Sequence, residues 1–336
     1  MYLCGWEYLA KLIMQKKLKY ILKKKLTVKG VPLDAEKIQI INQFFSSLHN
    51  VSIVYRCVDS DYLQNQYNTS VDNIGLLSEY IFLYGVKGKL FYDKLDQKTM
   101  NLEIDELTNA SLAYIYNKFQ KIFVSQRIES EKTKEAVSKF KLSNPGFIGY
   151  WEKLSIEEWL SLIEKLDNQG KQQVKDYYIA ILHTIGLAGY GRNSYFLSTS
   201  RRSDIGEFLH IPNDGIEIVG WSKVGSKNVY TPKRFDRNAE TVERLGFPVI
   251  KSDIFPEQEE ITYKCGLLPH FIIGFFYDDA FEVNPYIFES DSFLNVSQEG
   301  LPVCQAPFYE RLKELNYRST YIEIDDMLFQ ISLNQI

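Results

Sequence analysis

Val51-Ser52-Ile53-Val54-Tyr55-Arg56-Cys57-Val58 is the first stretch of the sequence with a strand pattern. Its residues are mostly β-branched or aromatic, and the turn-prone Asp59-Ser60-Asp61 follows them, so the pattern predicts a strand. Further strand patterns appear only after residue 190, beyond a long helical stretch. The first strand is therefore expected to pair into a later sheet, which predicts one α+β domain with a helical insertion. Two separate domains are the alternative.

The residues before this strand form a basic segment. Residues 1–30 contain eight Lys and one acidic residue, Glu7, so they carry +7 within a chain whose net charge is −4. Apolar residues recur at helical intervals between Trp6 and Leu26, which predicts a basic amphipathic helix over residues 6–26. Asp34 is the predicted N-cap of a second helix that ends near His49-Asn50. Residues 1–50 are therefore an N-terminal helical segment ahead of the predicted domain.

The predicted domain covers residues 51–336, with the helical insertion at about 60–187. Asn144-Pro145-Gly146 interrupts the helical pattern, and Ser155-Ile156-Glu157-Glu158 is a capping box that opens a further helix. Short strands are predicted afterwards at residues 195–200, 215–221, 247–250, 259–265 and 270–277. A helix over residues 308–315 and a hairpin over residues 320–333 complete the predicted order.

Composition excludes several classes of protein. The 336 residues are 45% hydrophobic and 24% charged, which is ordinary for a globular chain and unlike a fibrous or wholly disordered one. The four Cys have no metal-ligand spacing, so we expect no structural zinc site. No apolar run approaches the ~18 residues of a membrane span, and lysines interrupt the apolar stretch that a secretory signal needs. We expect a reduced, cytoplasmic protein without a metal or a transmembrane segment.

Three short elements contain candidate chemistry. Arg56 lies in an apolar strand, where a guanidinium is costly to bury without an anionic partner. Phe196-Leu197-Ser198-Thr199-Ser200 is rich in hydroxyls, and strand alternation puts Ser198 and Ser200 on one face and Thr199 on the other. Glu257-Gln258-Glu259-Glu260 enters an apolar strand, where neighbouring like charges cost stability. Taken singly, an internal ion pair, a common strand end and an exposed acidic turn explain these elements.

In this order the elements resemble the arginine–serine–glutamate class of mono-ADP-ribosyltransferases. That class has an aromatic-Arg strand, an F-x-S-T-S strand, and then E-x-E or Q-x-E entering another strand, which Tyr55-Arg56, Phe196 to Ser200 and Gln258-Glu259-Glu260 match. An inserted helical block would account for the 142 residues between Arg56 and Ser198, which lie closer together in compact toxins of the class. The segment His183 to Leu187 is similar to the histidine–glycine–leucine segment of FRG-type domains, although their usual Arg-Gly dipeptide is Arg56-Cys57 here.

The resemblance implies an enzyme that uses NAD as a substrate and cleaves the nicotinamide–ribose bond. Glu260 would stabilise the oxocarbenium-like transition state and bind the ribose 2′-hydroxyl, as a carboxylate can. Ser198 would orient Glu260 or bind the ribose, Gln258 would position the acceptor, and Arg56 would hold the phosphates with its fork of donors. The other implied NAD-binding residues are Tyr55, Thr199, Ser200 and His183. A competing register would instead pair Glu257 with Glu259.

The resemblance also implies a biological setting and partners. ADP-ribose would pass to a nucleic acid or a protein side chain inside the cell, as in a bacterial toxin or anti-phage effector, with an antitoxin or inhibitor protein as a possible partner. Glutamine at 258 argues against arginine as the acceptor, and simple NAD hydrolysis is a further outcome. Two other classes stay open: a non-catalytic FRG-like binding module, and a nucleic-acid-binding protein that uses the basic helix. That helix could equally be a solvated face or a membrane or protein contact.

Overall fold

The computed structural model shows a mixed α+β protein. It describes residues 12, 14–48, 51–87, 107–124, 131–185, 196–203, 215–223, 229–230, 232–251, 259–264, 266–267, 269–288, 294–296 and 302–304. The chain divides into two compact units, each built from separate stretches of sequence. The first unit comprises Met1–Leu95, Ser198–Val229 and Cys265–Ile336, and the second comprises Asp96–Leu197 and Tyr230–Lys264.

Strands of the first unit form a mixed sheet with the order β2-β1-β9-β8-β5-β3-β4. β1 runs parallel to β9, and the neighbouring pairs β1–β2, β9–β8, β8–β5, β5–β3 and β3–β4 are antiparallel. β4 begins in the second unit and ends in the first. The strands of the described residues are β1 Lys25–Val28, β2 Val31–Pro32, β3 Val51–Val58, β4 Phe196–Ser200, β5 Ile216–Lys223, β6 Val229–Tyr230, β7 Glu260–Lys264, β8 Ile272–Tyr277, β9 Ala280–Val283, β10 Leu294–Val296 and β11 Pro302–Cys304.

Helices are divided between the units. The first unit has a helix over residues 14–21, α1 Ala35–Ser47, α2 Ser60–Tyr67 and α3 Ile74–Tyr84. The second unit has α4 Asn109–Phe119, α5 Glu131–Ser143, α6 Pro145–Lys153, α7 Ile156–Glu164, α8 Asn168–Ile185 and α9 Pro232–Arg244. Within the described ranges, no helix is long and apolar enough to cross a membrane.

Several local predictions are confirmed. β3 has the predicted bounds, and β4, β5, β7 and β8 begin and end within two residues of theirs. The Asp34 side chain accepts a hydrogen bond from the Lys37 backbone N–H, and Ser155 and Glu158 form the reciprocal capping box that opens α7.

Other local predictions are wrong. The basic helix predicted over residues 6–26 ends at residue 21, because Lys25 and Leu26 pair with β9 and form β1 instead. Residues 247–250 are not a strand: Phe247 packs against Trp159, and the Ile250 backbone N–H bonds to a tyrosine hydroxyl. Helix α9 was not predicted. The helix at residues 308–315 and the hairpin at 320–333 lie outside the described residues.

The first unit buries polar groups inside its sheet. β3 and β5 pair over eight residues, and β5 also pairs with β8, so these strands are central and mostly apolar. Glu282 on β9 is fully buried, yet its carboxylate accepts hydrogen bonds from the Thr27 and Ser78 hydroxyls and from the backbone N–H groups of Lys29 and Gly30. These four donors connect the turn between β1 and β2 to the middle of α3 through the Glu282 carboxylate.

The second unit has an aromatic core. Trp151 on α6 is fully buried, and its ring centroid lies 4.5 Å from Phe119, 5.0 Å from Trp159 and 5.2 Å from Tyr178. Such offset and edge-on ring pairs add to the free energy of simple apolar burial. α4, α6, α7 and α8 therefore pack around one cluster, and α8 extends from it to His183 in its last turn.

Candidate active site

Arg56 lies on β3 between the two neighbouring strands β5 and β4. Its guanidinium Nη1 donates a hydrogen bond of 2.8 Å to the backbone carbonyl of Ser198. Burial raises the pKa of the Tyr62 hydroxyl, and the positive charge of Arg56 partly offsets that rise, so the guanidinium lies near Tyr62. That hydroxyl also accepts a 3.0 Å hydrogen bond from the backbone N–H of Lys87. The guanidinium is thus fixed between the serine-rich strand and α2.

Tyr55 belongs to the opposite face of β3, because successive side chains alternate. Its ring is buried, and the Lys17 ammonium lies 5.0 Å from the ring centroid. Burial is the largest cause that raises the pKa of the Tyr55 phenol, and the nearby Glu217 and then Tyr20 raise it further. Lys17 also donates a hydrogen bond to the Arg201 carbonyl, directly after β4. The N-terminal helix therefore covers the Tyr55 side of the strand pair.

The hydroxyls of β4 are divided between these two faces. Ser200 is directly opposite Tyr55, so its side chain shares the face of Tyr55, and alternation places Ser198 there as well. Thr199 is buried and shares the face of Arg56 by the same argument. Arg56 reaches Ser198 through the backbone carbonyl, whereas the Ser200 hydroxyl accepts a 3.0 Å hydrogen bond from the Arg202 backbone N–H.

Next to Tyr55, β3 and β5 bring a thiol and a carboxyl group together. Cys57 is the direct partner of Glu217, so both side chains lie on one face of the sheet. Burial raises the pKa of Glu217 to about 7. Burial and the neighbouring Glu217 raise the pKa of the Cys57 thiol to about 12, although Arg56 opposes this rise. At neutral pH Cys57 is therefore a neutral thiol and a poor nucleophile.

His183 and Glu260 meet in the second unit. His183 Nε2 in the last turn of α8 lies 3.8 Å from Oε1 of Glu260, the first residue of β7, and both side chains are largely buried. The Thr262 hydroxyl donates a 2.9 Å hydrogen bond to the same oxygen. The His183 ring also packs at 5.6 Å against Phe196, where β4 begins. One carboxylate oxygen is thus oriented by a hydroxyl and faced by an imidazole that forms an ion pair when protonated.

The two acidic residues at the start of β7 differ in environment. Glu259 is exposed and has a φ angle of 45°, a left-handed conformation that is uncommon for a residue other than glycine. Glu260 follows it into the strand, where 16% of its side chain is exposed. The backbone turn therefore leaves Glu259 in solvent and directs Glu260 towards His183. This difference favours Glu260 in the predicted catalytic role.

The structure brings together part of the predicted site. Arg56 and Ser198 are in contact within the first unit, as are Tyr55 and Ser200, while His183 and Glu260 are neighbours within the second unit. Gln258 and Glu257 lie outside the described residues, as does the glycine-containing loop after α8. Sequence reasoning missed Thr262, although its position two residues after Glu260 on a strand places both on one face. It also missed Lys17 and Tyr62, whose roles depend on tertiary packing.

No family model, curated protein or solved structure matches the chain. Among the described residues, no group of three or more His, Cys, Asp or Glu side chains is arranged to hold a metal ion.

Proposed function

We propose that this chain is an NAD-dependent ADP-ribosyltransferase that acts inside the cell on a nucleic acid or a protein side chain. The contact between Arg56 and the Ser198 carbonyl is the observation that supports it most, because it joins two motif strands that are 142 residues apart in sequence. The proposal includes an ADP-ribosyltransferase-like fold, which the antiparallel pairing of β3 with β4 and β5 is compatible with.

Each group has a chemical task in this proposal. Arg56 binds the diphosphate of NAD through several N–H donors, a geometry that lysine lacks. Cleavage of the nicotinamide–ribose bond leaves positive charge on the ribose, and the Glu260 carboxylate stabilises that charge. Thr262 orients the Glu260 carboxylate by a hydrogen bond to one of its oxygens, and that carboxylate binds the ribose 2′-hydroxyl. His183 restricts the rotation of Glu260 and provides a contact for NAD.

The environment of Glu260 supports its assignment over that of its neighbour. A carboxylate that is largely withdrawn from water interacts more strongly with a developing cation than an exposed carboxylate does. Glu260 is in such an environment, and Glu259 is exposed. The two adjacent glutamates therefore form a natural pair for a mutational test.

The test is nicotinamide release from NAD by purified protein, with Glu260→Gln beside Glu259→Gln. Both changes remove one negative charge at neighbouring positions. We expect Glu260→Gln to lower release by about 100-fold or more, as removal of a transition-state charge stabiliser does. We expect Glu259→Gln to keep activity within about 3-fold, because an exposed charge interacts weakly with the site.

Labelled NAD and a cell lysate extend the test to the acceptor. After reaction, the label is measured in protein, RNA and DNA fractions, and label found only in free ADP-ribose indicates hydrolysis. Equal activity of the two variants would contradict the role of Glu260. No release by folded wild-type protein in the presence of lysate would contradict the enzyme proposal and leave a binding module.

A further inference from the structure

The N-terminal helix displays a row of lysines to solvent. Residues 8–33 contain eight Lys and no Asp, Glu or Arg. Lys16, Lys19 and Lys23, here called the lysine face, are exposed, whereas Met14, Leu18 and Ile21 on the opposite side are buried. Lys16 and Lys19 lie about one helical turn apart, ~5 Å along the axis, and Lys23 lies in the turn that follows the helix.

The lysine face is not neutralised within the described part of the chain. No carboxylate there lies within 4.0 Å of Lys16, Lys19 or Lys23, whereas Lys29 forms a 2.6 Å ion pair with Glu79. Like charges one turn apart repel each other and reduce helix stability. The exposed cations therefore have a cost to folding that an anionic partner would remove.

The lysine face also has a defined place in the first unit. Lys17 on the same helix donates to the carbonyl of Arg201, directly after β4, and its ammonium lies over Tyr55. The exposed Arg202 follows. The helix is thus attached at the end of the serine-rich strand, on the face of β3 and β4 that contains Tyr55.

We propose that the lysine face binds the phosphate backbone of a nucleic acid and so delivers a polynucleotide acceptor to the protein. Lysines act as point charges that neutralise phosphates without reading sequence. Tyr20, 55% exposed between Lys19 and Lys23, packs at 5.9 Å against Phe276, and the Lys24 ammonium lies 5.4 Å from its ring centroid, which adds a further cation beside the lysine face. The binding step stands by itself, and the delivery step rests on the proposed function.

The packing of the helix favours a nucleic acid over a membrane. A helix that lies in a membrane surface inserts its apolar side into lipid. Here Met14, Leu18 and Ile21 are each at most 4% exposed, because they pack inside the first unit. A lipid surface would meet the lysines and the exposed Leu12, but the apolar side of the helix is already covered by protein.

The binding test uses the full chain without NAD and a fluorescent single strand of about 20 nucleotides, a length that exceeds typical single-strand binding sites. Anisotropy is measured between about 50 and 200 mM salt for wild type and for the triple variant Lys16→Gln, Lys19→Gln, Lys23→Gln. The matched control changes three exposed lysines of the second unit, Lys139→Gln, Lys153→Gln and Lys165→Gln. Both variants lose three positive charges, so net charge alone does not distinguish them.

We expect the first triple variant to bind at least about 10-fold more weakly and to reduce the log–log salt slope by about 2, and the control to match wild type. The proposal would be overturned if both variants bound equally weakly, or if the wild type did not bind the oligonucleotide. It would also be overturned if the protein bound phosphatidylserine vesicles in place of the oligonucleotide. Failure of the proposed function is distinguishable, because it would abolish nicotinamide release while salt-dependent binding persisted. If the first triple variant retains nicotinamide release but labels less RNA or DNA than wild type, the result supports delivery of the acceptor by the lysine face.

Discussion

In the second unit the largest side chains pack ring against ring, whereas in the first unit several fully buried side chains are polar. Trp151 lies within 5.2 Å of three other aromatic rings, and Glu282 lies among four hydrogen-bond donors. Aromatic packing tolerates small shifts of position, but a buried carboxylate is stable only with its full set of partners. We therefore expect the second unit to be sensitive to lost volume and the first to be sensitive to single polar atoms.

The largest expected effect is on the aromatic core. Trp151→Ala should destabilise the second unit by about 4 kcal/mol, because a buried aromatic side chain is replaced by a cavity. Urea denaturation and hydrogen exchange of peptides from residues 107–185 measure this change. Trp151→Phe and Trp159→Phe are informative controls. The Trp159 indole donates a 3.0 Å hydrogen bond to the Leu112 carbonyl, whereas the Trp151 indole N–H has no acceptor among the described residues, so Trp159→Phe should cost more.

A second prediction concerns the buried carboxylate. Glu282→Gln should destabilise the first unit by about 3 kcal/mol, because each carboxylate oxygen accepts from one backbone N–H, so the amide NH₂ would point at a group that can only donate. Ser78→Ala should cost only about 1 kcal/mol, since it removes one of four donors and leaves three. Hydrogen exchange at β1 and β9 reports the loss locally. Equal costs for the two variants would contradict the idea that the full donor set matters.

The third prediction uses pH. Burial raises the pKa of Glu217 from 4.5 to about 7, so folding opposes its ionisation. Its contribution to stability is fully present below about pH 4.5 and is lost as the pH rises to about 7. Glu217→Gln should therefore stabilise the protein by about 2 kcal/mol at pH 8, with allowance for the partial exposure of the group, and should change little at pH 4.

Thermal or urea unfolding of wild type and Glu217→Gln across this pH range checks the third prediction. Glu36→Gln, an exposed change in the same unit, controls for the loss of a charge and should show no such difference between pH 4 and pH 8. A stability difference for Glu217→Gln that did not vary with pH would contradict the buried-carboxyl explanation.

The sequence correctly predicted the elements that depend on interactions between residues close together in the chain. β3 follows from its β-branched residues, and the capping box at Ser155 follows from hydrogen bonds within one turn. The helix over residues 6–26 was predicted too long, because pairing of Lys25 and Leu26 with β9 outweighs their helical spacing. Residues 247–250 have a strand-like composition, but Phe247 packs against the helical core and the segment stays a loop.

The candidate site shows the same division. The order of the motif strands and the alternation of Ser198 and Thr199 could be predicted from the sequence. The contact of Arg56 with a backbone carbonyl could not, because it depends on how β3 and β4 pair across 142 residues. The environment that separates Glu259 from Glu260 depends on a left-handed backbone angle that no residue type in this stretch specifies.

The parallel pairing of β1 with β9 has a consequence for synthesis on the ribosome. Lys25 pairs with Ala280, so an early strand of the chain acquires this neighbour only after some 255 further residues have been translated. A nascent chain that ends at residue 264 contains every residue of the second unit but lacks β8 and β9. The sheet that contains Arg56 is therefore complete only after Val283 has been translated, and the proposed activity around it cannot appear before that point.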